Sequence, residues 1–163
     1  MLRPDTAVQR VIEVLIDSQD GLVTVGERLQ NQSLKQYFFA ESLVRARFID
    51  QLETALRQRG VSTFWEKGGA AATLQRTWAR IKSKFIESDH TLLVTAEQGE
   101  DAVTDVYSKA LETYLPASMR EILTAQEAHI ELVHEFLKRN VTVPIAKAKT
   151  AGSKVPAGHE VSH

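Results

Sequence analysis

The chain has 163 residues, a net charge of -1 with 25% charged residues, and no cysteine. One domain plus a tail is the expectation at this length, and the balanced charge gives no nucleic-acid footprint. The missing thiols exclude disulfides, thiolate metal sites and a cysteine nucleophile. The opening MLRPDTAVQR lacks the apolar stretch of a secretory signal, and no run reaches the ~18 apolar residues of a membrane span, so a soluble, cytoplasmic protein is expected.

From residue 5 to 30, Val8, Val11, Ile12, Leu15, Leu22, Val25 and Leu29 repeat at helical spacing, with Asp5 placed to cap the first turn. This predicts a first helix that stops near Asn31. Ser33 and Gln36 have the spacing of a capping box, so a second helix starts almost at once and forms an antiparallel hairpin with the first. The second helix carries Leu34, Tyr37, Phe38, Val44, Phe48, Leu52 and Leu56 on its stripe, and ends at Arg57, Arg59 and Gly60. Cations followed by glycine suit a helix C-terminus.

A shorter helix is predicted around Leu74, Trp78, Ile81 and Phe85, after an irregular stretch at Gly68 and Gly69. A third long helix carries Leu93, Ala96, Val103, Tyr107, Leu111 and Tyr114, and must end by Leu115 because Pro116 cannot continue its ladder. Ser118 and Glu121 repeat the capping-box spacing ahead of Met119, Leu123, Ile130, Val133 and Leu137, which predicts a second hairpin. Residues 1–140 are therefore expected to form a bundle domain and residues 141–163 a disordered tail rich in Lys, Ala, Gly and Pro. A helix of ~25 residues is ~38 Å long. The length of the segment between Gly60 and Ser88 favours a crossover along the bundle between the second and third long helices, the ferritin-like connection.

Few polar side chains fall inside the stripes. Glu41 is central on the second helix with Arg45 one turn on at the margin, Glu100 is central on the third with Glu97 toward its edge, and the fourth offers Gln126 and His134. On the first helix only Ser18 and Gln19 qualify, with Asp17 expected to point away. Two chemistries suit this set. One is a carboxylate-bridged iron or manganese site with Glu41, Glu97, Glu100 and His134 as ligands, because two-metal bundles use Glu and Glu-x-x-His pairs facing inward. Val44 stands where the histidine partner of Glu41 belongs, Glu131-Leu-Val-His134 places Glu131 about 120° from the stripe centre, and Gln126-Glu-Ala-His129 has an amide for the carboxylate. The other is a structural polar layer of Glu41, Arg45, Glu100, Tyr107, Gln126 and His134 without any cofactor, because Arg45 lies four residues after Glu41 and its charge competes with a cation. Phe39 and Leu43, one turn apart on the face opposite Glu41, either cover the linker helix or form a homodimer interface.

Leu74 to Trp78, Glu97-Gln-Gly-Glu100 followed by Tyr107 and Ala110-Leu111, then Leu115-Pro116 and a helix with Gln126 and His134, resemble an uncharacterised bacterial family of ferritin-like four-helix-bundle proteins. The resemblance spans roughly residues 5 to 140 and implies the ferritin-like fold, with no established activity. The function expected is that of a non-enzymatic structural, stress-related or interaction protein, against a metal-binding protein or oxidoreductase as the alternative.

Overall fold

The computed structural model describes residues 3–61 and 88–142. The short helix expected at Leu74 to Phe85 lies outside them, as does the tail from residue 143. Among the described residues the chain is all-helical, with α1 at Pro4–Arg28, α2 at Gln32–Gln58, α3 at Asp89–Leu111 and α4 at Ala117–Thr142. The last helix thus runs two residues beyond the expected domain limit of 140. None of the four is long and apolar enough to cross a membrane.

Local chemistry sets the helix ends, and three differ from the sequence expectation. Arg3 is the N-cap of α1 and Pro4 opens its first turn, so Asp5 sits inside the helix. There its carboxylate faces the positive end of the helix dipole. Asn31, two residues before Ser33, caps α2, its side chain accepting from the Leu34 N–H at 3.0 Å. An amide side chain in the three-residue turn meets the free N–H sooner than a hydroxyl already in the helix. Ser118 likewise lies within α4, whose first turn is instead closed by the Arg120 N–H donating to the Pro116 carbonyl at 3.0 Å.

At the end of α2, Gly60 takes φ +80, the Gly60 N–H donates to the Arg57 carbonyl and the Val61 N–H to the Leu56 carbonyl. That pair of bonds is a Schellman closure, and the left-handed residue it needs is why glycine follows Arg59. Ser88 caps α3 by accepting from the Thr91 N–H at 3.1 Å. Where α3 ends, Arg120 reaches back from α4 and donates to the carbonyls of Leu111 and Thr113 at 3.0 and 2.8 Å. Tyr114, expected on the buried stripe, lies in this turn beyond the helix and is 77% exposed.

In the packing, α1 lies against α2 and α3, and α4 against α3 and α2. Their shared core includes Ile12, Leu15, Leu22, Phe38, Leu52, Leu93, Tyr107, Leu123 and Ile130. Two contacts fix the directions. At one end the Asp89 carboxylate, on the first residue of α3, accepts from the backbone N–H groups of Gln30 and Asn31 at 2.8 and 2.9 Å. At the other, Arg59 Nε lies 2.9 Å from Asp5 Oδ1. Hence α3 starts where α2 starts, and the two run in the same direction, both antiparallel to α1. Residues 61 and 88 consequently sit at opposite ends of helices about 40 Å long.

Two contacts draw α1 and α2 together near their shared turn. Lys35 Nζ donates to the Gly26 and Glu27 carbonyls at 2.7 and 3.2 Å, using a cation where the helix dipole favours one. The Phe39 ring covers Gly26 so closely that a Cβ there would lie 2.7 Å from Phe39 Cε1.

Asp89 joins the two halves of the bundle through a nearly buried carboxylate. Asp89→Ala would leave two backbone donors without their acceptor. The expected loss is about 1–3 kcal/mol, read from urea denaturation at neutral pH; a change below about 0.5 kcal/mol would show that the contact carries no stability.

Candidate functional site

Buried residues of α1, α2 and α3 converge on one charged layer, which α4 meets through the partly exposed His129. On α2, Arg45 lies seven residues after Phe38 and seven before Leu52, both core positions, and its side chain is fully buried. On α3, Glu100 is flanked in the same way by Leu93 and Tyr107, and on α1 Ser18 by Val11 and Val25. Helical repetition over two turns therefore carries these three residues to the bundle axis.

Arg45 Nε donates to Glu41 Oε2 at 2.8 Å. Its Nη1 donates to Glu100 Oε2 at 3.1 Å and its Nη2 to Glu100 Oε1 at 2.7 Å, a two-pronged pairing that matches the planar fork of the guanidinium to a carboxylate. Nη1 also donates to Ser18 Oγ. Across the layer, His129 Nε2 of α4 lies 2.9 and 3.0 Å from the two oxygens of Glu41. The expectation placed Arg45 at the margin of its stripe; its guanidinium instead fills the space between Glu41 and Glu100.

Electrostatics follow from this burial. Burial alone works against the Arg45 charge, but Glu100 and then Glu41 more than offset it and hold the guanidinium above its ordinary value. Tyr107 is raised chiefly by burial, with the Arg45 charge acting in the opposite direction. Its hydroxyl donates to Gln126 Oε1 at 2.7 Å, while Gln126 Nε2 donates to Gln51 Oε1 and the Phe48 carbonyl at 2.8 and 3.3 Å. Tyr37 is pushed up to about 12 by its own burial and then by the charges of Glu41 and Glu100. Its ring stacks on Phe136 of α4, with centroids 4.0 Å apart.

The residues expected to bind metal are thereby divided. Glu41 and Glu100 bond to Arg45, whereas His134 Nε2 lies 3.3 Å from Glu97 Oε2 and 2.8 Å from Asp101 Oδ1 on the α3–α4 side. Of the polar layer expected from the sequence, Glu41, Arg45 and Glu100 form one network and Tyr107 pairs with Gln126. His134 joins neither and instead meets Glu97 and Asp101, and it is His129 that reaches Glu41. The Gln126-Glu-Ala-His129 spacing carried that signal, and Asp101 lay one helical turn after Glu97.

Asp17 does not point away from the bundle: it is 4% exposed. Because α1 is flanked by two helices, it buries Ala7, Val14, Asp17 and Gly21 beside its main stripe, a wider arc than a single apolar face supplies. Of the two apolar residues expected on the outer face of α2, Phe39 is half-buried over Gly26 and Leu43 is 62% exposed.

Comparison with family models matches residues 5–113 to a domain of unknown function, DUF2383. The chain belongs to this family. Its matched span runs from α1 through α3 and holds Ser18, Glu41, Arg45 and Glu100, while Gln126, His129 and His134 on α4 lie beyond it. The family is an uncharacterised one and brings no activity to the chain. Neither the curated proteins nor the solved structures contain a match.

Because Arg45 is desolvated between two carboxylates, Arg45→Met should cost about 3–5 kcal/mol by stranding them. Neutralising both in the same chain, as Arg45→Met with Glu41→Gln and Glu100→Gln, should recover most of that loss. Chemical denaturation of the two variants checks this; a single variant within about 1 kcal/mol of the parent would mean that the carboxylates are not held out of water.

Proposed function

We propose that this DUF2383 member is a ferritin-like bundle, with its two hairpins joined by a crossover, whose interior serves as an internal ion lock rather than as a redox-metal centre. It then acts as a non-enzymatic structural or interaction protein. The observation that carries this reading is the Arg45 guanidinium, paired with Glu41 and Glu100 where a bridging cation would have to sit.

The donor set supports the same reading. A carboxylate-bridged pair of metals needs a Glu from each of two helices and Glu-x-x-His from each of the others. Here the axial position on α1 is Ser18, Val44 follows Glu41 at the histidine spacing, and Gln126 precedes His129 at the glutamate spacing. The residues present do not fit the group. A resident arginine supplies positive charge without exchangeable coordination positions. What it does supply is register: the fork to Glu100 and the bond to Ser18 are met only when α2 is correctly aligned with α3 and α1.

The direct test is iron handling. Purified full-length protein exposed to Fe²⁺ and then to air should oxidise iron at the same rate as its Glu41→Gln and Glu100→Gln variants, and the three should hold equal metal per chain. Stoichiometric metal that disappears with either substitution would overturn the proposal.

A further inference from the structure

We infer that Glu97, Asp101 and His134 form a divalent-cation site on the α3–α4 face, separate from the Arg45 layer. One ligand atom from each of the three lies within 4.8 Å of the others. Glu97 and Asp101 are four residues apart on α3, so their carboxylates rise from one helical face a turn apart. His134 comes from the neighbouring helix, and its ring, with a side chain only 11% exposed, presents Nε2 to both.

The spacing suits a small transition ion. Donors about 2.0–2.2 Å from such an ion stand about 2.8–3.6 Å from one another in octahedral or tetrahedral geometry, and Nε2 is already 2.8 Å from Asp101 Oδ1 and 3.3 Å from Glu97 Oε2. Two carboxylate oxygens with one imidazole favour Mn²⁺, Fe²⁺, Co²⁺ or Zn²⁺ over Ca²⁺ or Mg²⁺, which prefer oxygen donors alone. The three donors form one face of a coordination shell. Its opposite side is reachable from solvent, since the side chain of Asp101 is 60% exposed and that of Glu97 24%. Arg45 does not compete here, because it is occupied by Glu41, Glu100 and Ser18.

The ion would span α3 and α4 and add a link between the two helices of the second hairpin. His134 and both acids would bind it directly, leaving the remaining positions to water or to an oxygen ligand from outside.

The test uses the full chain stripped of metal by chelation and then titrated with Co²⁺ or Mn²⁺ alone, followed by calorimetry and, for Co²⁺, by visible absorption. One ion per chain is expected. Asp101→Asn and His134→Gln should each weaken it by more than about tenfold, with helicity by circular dichroism unchanged. Glu41→Gln should leave it in place, which separates this site from the central layer. No saturable binding would overturn the proposal and identify the cluster as a histidine ion pair only. Binding that survives both substitutions, as binding to His159 and His163 of the tail would, overturns it equally.

Discussion

A permanent positive charge at the bundle centre is the constraint that the surrounding core must satisfy. Taking a guanidinium out of water is costly, and the cost is met only if its donors find acceptors in good geometry. Arg45 finds them on three different helices: Glu41 on its own, Glu100 on α3 and Ser18 on α1. None of these can move far without leaving the charge unpaired. The apolar residues above and below, such as Leu15, Leu22, Phe38 and Leu52, tolerate sliding far better, because contact between hydrocarbons has no direction. The charged layer thus selects one register from those that the apolar stripes alone would allow.

The order of the helices follows from similarly specific contacts at the ends. Asp89 holds the start of α3 to the turn between α1 and α2, and Arg59 meets Asp5 at the far end of the same hairpin. With α2 and α3 pointing the same way, a carboxylate on each approaches the axis at the level of Arg45. His129 then closes the layer from α4 by bonding Glu41. The separate group of Glu97, Asp101 and His134 lies on the α3–α4 face, where the His134 ring is nearly buried but the Asp101 carboxylate is open to solvent and the electrostatic demands are weaker.

Much of this was legible in the residues, but unevenly. The four long helices follow from the spacing of Val11 to Leu29, Leu34 to Leu56, Leu93 to Tyr107 and Met119 to Leu137, because a helical stripe is written directly in the period of its apolar side chains. Glu41 and Glu100 were visible as charges inside such stripes. The depth of Arg45 was harder to read, since a long cationic side chain at a stripe margin ordinarily reaches out to water. Its seven-residue distance from Phe38 and from Leu52 was the better guide. Which histidine reaches Glu41 depends on the relative rotation of α2 and α4, which no single helix encodes. For the same reason the pattern within α1 does not place Asp17, since it cannot reveal that two neighbours, rather than one, cover that helix.

Capping shows a similar limit. Asn31 and Ser33 both carry side chains able to cap a helix, and the choice between them rests on where α1 stops, which its packing and the Asp89 carboxylate determine. Gly60, by contrast, was readable from sequence because a left-handed closure after Arg59 leaves few alternatives to glycine.

The claim that Arg45 is the fixed central cation can be read most directly from the nitrogen and proton resonances of its own guanidinium, in protein depleted of metal by chelation. The account predicts that its Nε–H and Nη–H₂ protons exchange slowly with solvent and that rotation of the guanidinium group is restrained, and that adding Mn²⁺ or Fe²⁺ at equimolar concentration does not release it. Rapid exchange typical of exposed arginines, or release of the guanidinium when the metal is added, would contradict the account.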